Sequence, residues 1–167
     1  MMKDNFEKAF QKILKFEGGY SDSTADRGGK TKFGITERVA RANGYRGDMK
    51  GLPLDTAKMI YYNNYWDYEY IDNEKIAIEC FEQAVNMGVA TANRHLQRAY
   101  NLLSDDVIAE DGIVGPKTIQ AINNCPYQDD LYKLLNILQA MRYIRICEAD
   151  ESQKKFIRGW MKRIELK

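Results

Sequence analysis

EGGYSDSTADRGGKTKFGIT, residues 17–36, interrupts a chain that otherwise reads as helix. Five glycines fall between positions 18 and 34 among Asp, Ser and Thr, and helical periodicity is missing there. Such a stretch suits short strands and turns, as a small hairpin or three-stranded sheet. Just upstream, Phe6, Phe10, Ile13 and Leu14 recur at helical spacing, predicting a helix over 4–17. Asp4 and Glu7 have the spacing of a capping box, and Gly18 and Gly19 supply the stop. Just downstream a second helix is expected, with Thr36 as N-cap and Gly44 as its end.

Further along, the helical pattern returns from Leu54 through the aromatic cluster Tyr61, Tyr62, Tyr65 and Trp66. Residues 74–87 predict a buried helix with Ile76, Cys80, Phe81, Ala84 and Val85 inward, and another runs from about Thr91 to Leu103. Residues 104–112 read as a loop, and Pro116 stands where a helix should begin. A long helix over 128–148 turns Leu131, Leu134, Leu135, Leu138 and Met141 inward, and a last one carries Phe156, Ile157, Trp160 and Ile164. The expected architecture is α+β, mainly α. A small N-terminal β-region would form one wall of a cleft.

Composition narrows the function. The 167 residues carry a net charge of +1, so no strong overall field favours nucleic acid as a partner. The basic run Lys154, Lys155, Arg158, Lys162 and Arg163 reads as a solvated helix face. Cys80, Cys125 and Cys147 form no metal-ligand spacing and are odd in number, and His95 is the one histidine. Neither a disulfide framework nor a zinc site is expected, no other metal or cofactor is implied, and the cysteines fit folding in a reducing compartment. No window approaches a membrane span, and the first residues do not resemble a signal peptide.

The candidate chemistry centres on carboxylates. Glu17 follows Phe10 by seven residues, Ile13 by four and Leu14 by three, which places it on the apolar face of its helix. A carboxyl group at a core edge is costly to ionise, which suits a general acid. The plainer alternative, a cap or salt bridge at the helix C-terminus, is opposed by the macrodipole. Asp26 lies nine residues on, across the glycine-rich turn, and two carboxylates flanking a cleft are the minimal equipment for glycoside hydrolysis. Asp before Arg27-Gly28-Gly29 is equally ordinary turn chemistry. Thr31 and Thr36 could hold a water, or serve strand formation and helix capping; for Thr36 capping is favoured. Two other motifs fail. Gly29-Lys30-Thr31 resembles the end of a P-loop, but Thr24 stands where that motif needs glycine. Asp22, Thr24 and Asp26 alternate without the terminal Glu of an EF-hand. The dense rings Tyr61, Tyr62, Tyr65, Trp66, Tyr68 and Tyr70 could stack on sugars or simply fill the core.

Within residues 17–36, Glu17, Gly18, Gly19, Tyr20, Asp26, Gly28, Gly29, Thr31, Gly34, Ile35 and Thr36 closely resemble the signature of glycoside hydrolase family 108. Arg27 departs from a common proline. Residues 81–99 resemble a second family segment through Asn86, Gly88, Leu96 and Gln97. Residues 111–122 resemble the C-terminal peptidoglycan-binding region through Asp111, Gly112, Gly115, Pro116 and Thr118.

The resemblance implies a lysozyme-like fold and muramidase activity on peptidoglycan glycan strands, with Glu17 as the essential acid. The order Glu17, Asp26, Thr31 also resembles the triad of phage lysozymes, with the threonine one residue short. Tyr20, Thr36, Tyr65, Trp66 and Asn86 are the candidate substrate contacts. The division implied is a catalytic region over 1–90 and a peptidoglycan-binding region over 91–167, packed as one body. Family members come from prophages, as endolysins, or stand beside secretion systems as secretion activators. A holin or secretion system is therefore the implied export partner, with action in the periplasm or wall. A weakly catalytic peptidoglycan-binding accessory protein is the competing reading.

Overall fold

A computed structural model describes residues 2–22 and 29–165. The chain is mainly helical with one small antiparallel sheet near its start, an α+β fold of lysozyme type. It divides into two compact units, Met1–Trp66 and Asp67–Lys167.

The first unit opens with helix α1, Met2–Glu17. The helix begins before Asp4, so that residue lies inside it and not at a cap; Glu7 instead pairs with Lys58. Strands β1 (Ser21–Asp22), β2 (Lys30–Lys32) and β3 (Ile35–Thr36) form a sheet in that order. Helices α2 (Glu37–Ala42) and α3 (Leu54–Tyr65) complete the unit, with a 3-10 turn at Met49–Gly51 between them. Thr36 caps α2 as expected, its hydroxyl accepting from the Val39 N–H at 3.2 Å, and Gly44 follows the helix with φ +92°.

The apolar faces of α1 and α3 meet through aromatic rings. Phe6 meets Phe10 at 6.0 Å, Tyr62 edge-on at 5.0 Å and Trp66 at 5.4 Å. Phe10 in turn meets Tyr61 at 5.7 Å. Each such pair is worth about 0.5–1.5 kcal/mol beyond the area it buries.

The second unit contains α4 (Glu74–Met87), α5 (Val89–Leu103), α6 (Pro116–Asn124), α7 (Gln128–Ala149) and the short α8 (Ile157–Met161). Asn73 caps α4 through the Ile76 N–H, and Gly88, at φ +95°, ends it and admits α5 directly. α4, α5 and α7 pack against one another. Their shared core is more polar than the periodicity predicted, because Glu79, Glu82, Gln83, Asn136 and Gln139 are buried beside the expected aliphatics. Buried amides are tolerated when bonded. Gln83 Nε2 donates to the Leu135 carbonyl at 2.9 Å, and Gln139 Nε2 donates to the Tyr143 hydroxyl at 2.8 Å.

The expected last helix is broken in two. Asp150 accepts from the Ser152 N–H and hydroxyl at 3.0 and 2.7 Å, which starts a 3-10 segment over Glu151–Phe156 before α8. Lys154, Lys155, Arg158 and Lys162 are exposed, as read from sequence, whereas Arg163 is half-buried.

Candidate active site

Glu17 is the last residue of α1, half-buried on the side that carries Phe10 and Ile13. The helix stops there because Gly18 takes φ +52°, while its N–H still bonds the Leu14 carbonyl at 3.1 Å. Against the Glu17 side chain lies the turn between β2 and β3.

That turn is Phe33-Gly34, both with positive φ, 53° and 76°. Two such residues are what a two-residue hairpin needs to match the twist of its strands. Phe33 is unusual there, since a left-handed backbone costs a side-chain-bearing residue about 1–2 kcal/mol. Tyr61, buried at 1% exposure, holds it by donating its phenolic hydrogen to the Phe33 carbonyl at 2.6 Å.

Gly34 has a second reason to be glycine. A Cβ there would stand 2.6 Å from Tyr61 Oη, 2.7 Å from Glu17 Cβ and 2.9 Å from Glu17 Cγ. The turn is thus pressed onto the stem of the acid and onto the phenol that anchors it. Gly34→Ala should cost about 1–2 kcal/mol in backbone strain alone and push the turn off Glu17. The expected result is a lower melting temperature together with a loss of activity larger than the unfolding explains. Activity assayed well below the melting transition separates the two effects.

The sheet lays hydroxyls beside this turn. Ser21 pairs with Thr31 and Thr31 with Thr36, and directly paired residues share a face. Ser21, Thr31 and Thr36 therefore line one face, while Lys30 and Lys32 alternate to the other. Thr31 and Thr36 are half-buried, and the Thr36 hydroxyl is engaged as the α2 cap. On the neighbouring 3-10 turn, the Lys32 ammonium donates to the Lys50 carbonyl, and Lys50 Nζ lies 5.4 Å from the centre of the Tyr20 ring. Asp26 lies outside the described residues.

The remaining candidate contacts each have partners of their own. Tyr65 is half-buried with its ring 5.8 Å from Tyr61, and burial raises its phenol above the ordinary value. Trp66, at 7% exposure, gives its ring to the packing around Phe6. Asn86, in the second unit, accepts from the Tyr143 hydroxyl at 2.6 Å.

The two later motifs form one knot. Gln97 Nε2 donates to Asp111 Oδ1 at 3.0 Å, the Ile113 carbonyl at 2.9 Å and the Thr118 hydroxyl at 3.2 Å, while its Oε1 accepts from the Gly112 N–H at 2.9 Å. One turn earlier on α5, Asn93 donates to Asp67 Oδ2 and to the Gly112 carbonyl, at 3.0 and 3.1 Å, and accepts from the Tyr68 hydroxyl at 2.6 Å. The loop ahead of Pro116 is thereby folded onto α5. Residue spacing did not single out Asn93 or Tyr61 for these roles. The one available signal was a buried-face polar residue four positions before Gln97.

Two family models match the chain, and they meet at residues 88–91, not at the Trp66–Asp67 division of the compact units. The family model "Glycosyl hydrolase 108" matches residues 10–88, and the model "Predicted Peptidoglycan domain" matches residues 91–165. Residues 10–88 are thus similar to glycosyl hydrolase 108 proteins. Among solved structures, one titled "Structure of Brucella abortus SagA" is similar, with 26% identity and a TM-score of 0.75, covering 96% of this chain and 90% of that one. A search of curated proteins returned no match. The two matched domains support a hydrolase activity related to peptidoglycan, exerted at the cell wall. No helix among the described residues is long and apolar enough to cross a membrane.

Proposed function

We propose that this protein is an N-acetylmuramidase of the glycosyl hydrolase 108 kind, cleaving the β-1,4 bond between N-acetylmuramic acid and N-acetylglucosamine, with Glu17 as the general acid. The observation that carries this reading is the seat of Glu17, whose Cβ and Cγ lie against a glycine that can be nothing larger. A proton donor must stand in one place relative to the glycosidic oxygen, because a misplacement of about 1 Å can cost roughly 10²-fold in rate. The Gly34 turn and the Tyr61 phenol give Glu17 such a place.

In this reading Glu17 protonates the leaving oxygen as the C–O bond breaks. Asp26 is the second carboxylate, which either activates water or stabilises the positive charge that develops on the sugar ring. Thr31, on the hydroxyl face of the sheet, orients the incoming water, and Tyr20 and Tyr65 offer rings to the glycan. Functionally, residues 1–90 act as the catalytic region and 91–167 as the region that holds the wall, a division supported by the two family matches.

Digestion of purified sacculi tests the reading by its products. A muramidase leaves reducing N-acetylmuramic acid ends, visible after borohydride reduction and mass spectrometry. Reducing N-acetylglucosamine ends would mean that the other glycosidic bond is cut. Anhydro ends would mean that no water enters, and either result would displace the proposed reaction. Intact glycan with firm binding would leave a wall-binding accessory role instead.

A further inference from the structure

A groove of about 240 Å³ lies between α5 and α7 in the second unit. His95 and Arg98 line it from α5, and Arg142 and Arg145 from α7, with Leu138 and Met141 also on its wall. No carboxylate among the described residues lines it. Three guanidiniums thus gather at one groove on a chain whose net charge is only +1. Like charges at close range repel, and nothing on the groove's own walls offsets them. Burial, joined by the charges of Arg142, Arg98 and Arg145, lowers the His95 imidazole to about 4.

The tautomer of His95 is set by its neighbours. Gln83 Nε2 is committed to the Leu135 carbonyl at 2.9 Å, so Gln83 Oε1 is the atom 2.6 Å from His95 Nδ1. Nδ1 therefore carries the hydrogen. His95 is held as a neutral wall member while the arginines supply the charge.

The groove's size limits its ligand. Pockets for drug-sized molecules run from about 300 Å³ upward, so this one suits a small charged head and not a disaccharide. Arginine forks match planar carboxylates through paired hydrogen bonds. Glycan strands carry such groups on their peptides, whose terminal residues end in free carboxylates. We propose that the α5–α7 groove is the site where this domain grips the carboxylate end of a peptidoglycan stem peptide, through Arg98, Arg142 and Arg145. The proposal rests on the reading of residues 91–165 as a peptidoglycan domain, and it names the chemical group that domain holds.

The test uses the full chain carrying Glu17→Gln, so that sacculi are bound and not consumed. Cosedimentation with sacculi is compared between this protein and versions that also carry Arg142→Gln with Arg145→Gln, or the exposed Arg145→Gln alone in case the double change perturbs folding. In parallel, a free stem tetrapeptide, its C-terminal amide and inorganic phosphate are titrated while the His95 ring resonances are followed. The expected result is a ten-fold or greater loss of sacculus affinity in the double variant and a smaller loss in the single one. The tetrapeptide should shift His95, and its amide should bind at least ten-fold more weakly. Equal sedimentation of all versions would overturn the groove as the site while leaving the peptidoglycan reading intact. Failure of the parent protein to sediment would overturn both. Equal binding of acid and amide, or a preference for phosphate, would overturn the carboxylate as the ligand.

Discussion

Glu17→Gln should reduce wall lysis by roughly 10²–10⁴, the range over which a general acid contributes, while leaving the melting temperature within a degree or two of wild type. The amide keeps the shape of the side chain, so the contact of Cβ and Cγ with the Gly34 turn survives. What it loses is the proton that must reach the glycosidic oxygen as the bond breaks. The position is half-buried at the end of α1, so no large core volume changes. Turbidity loss of permeabilised cells, with thermal unfolding on the same preparation, measures both quantities. Lysis near the wild-type rate by a folded variant would show that another group is the acid.

Gln97→Leu should destabilise the second unit by roughly 2–4 kcal/mol, since each buried polar group left unpaired costs about 1–3 kcal/mol. Gln97 is 1% exposed, and its amide uses both ends. The Gly112 N–H is buried and loses its acceptor, while Asp111, Ile113 and Thr118 lose a donor. Leucine fills similar space and returns none of these bonds. For a chain of this length the loss corresponds to a fall of roughly 5–15 °C in melting temperature. The Gly112 amide should also lose its protection from hydrogen exchange ahead of the amides of α5. A variant as stable as wild type, with that amide still protected, would mean that the loop ahead of Pro116 is held by other contacts.

Both variants probe residues that stand out in the sequence, but for different reasons. Glu17 stood out because helical periodicity is local: three apolar residues within seven positions fix which face it occupies. The same locality made α2 legible from Thr36 and Gly44, α4 from its apolar stripe, and the start of α6 from Pro116. Gln97 matched a family segment, yet nothing near it in the chain said what it bonds.

The chain's own order of residues therefore determined most of the helices, the Thr36 cap, the glycine-rich interruption and the place of Glu17 at its edge, since each depends on neighbours within one or two turns. Only the tertiary structure decided what those elements do to one another. Tyr61 reaches back 28 positions to stabilise the left-handed Phe33, and Tyr143 reaches 57 positions to Asn86. Trp66, one of a run of rings that could equally have faced a sugar, was taken by Phe6. Glu79, Glu82 and Gln139 sit in the core although their polarity argued for the surface. A polar or aromatic side chain goes where its partners are, and those partners are brought to it by packing between helices far apart in the chain, which no local pattern records.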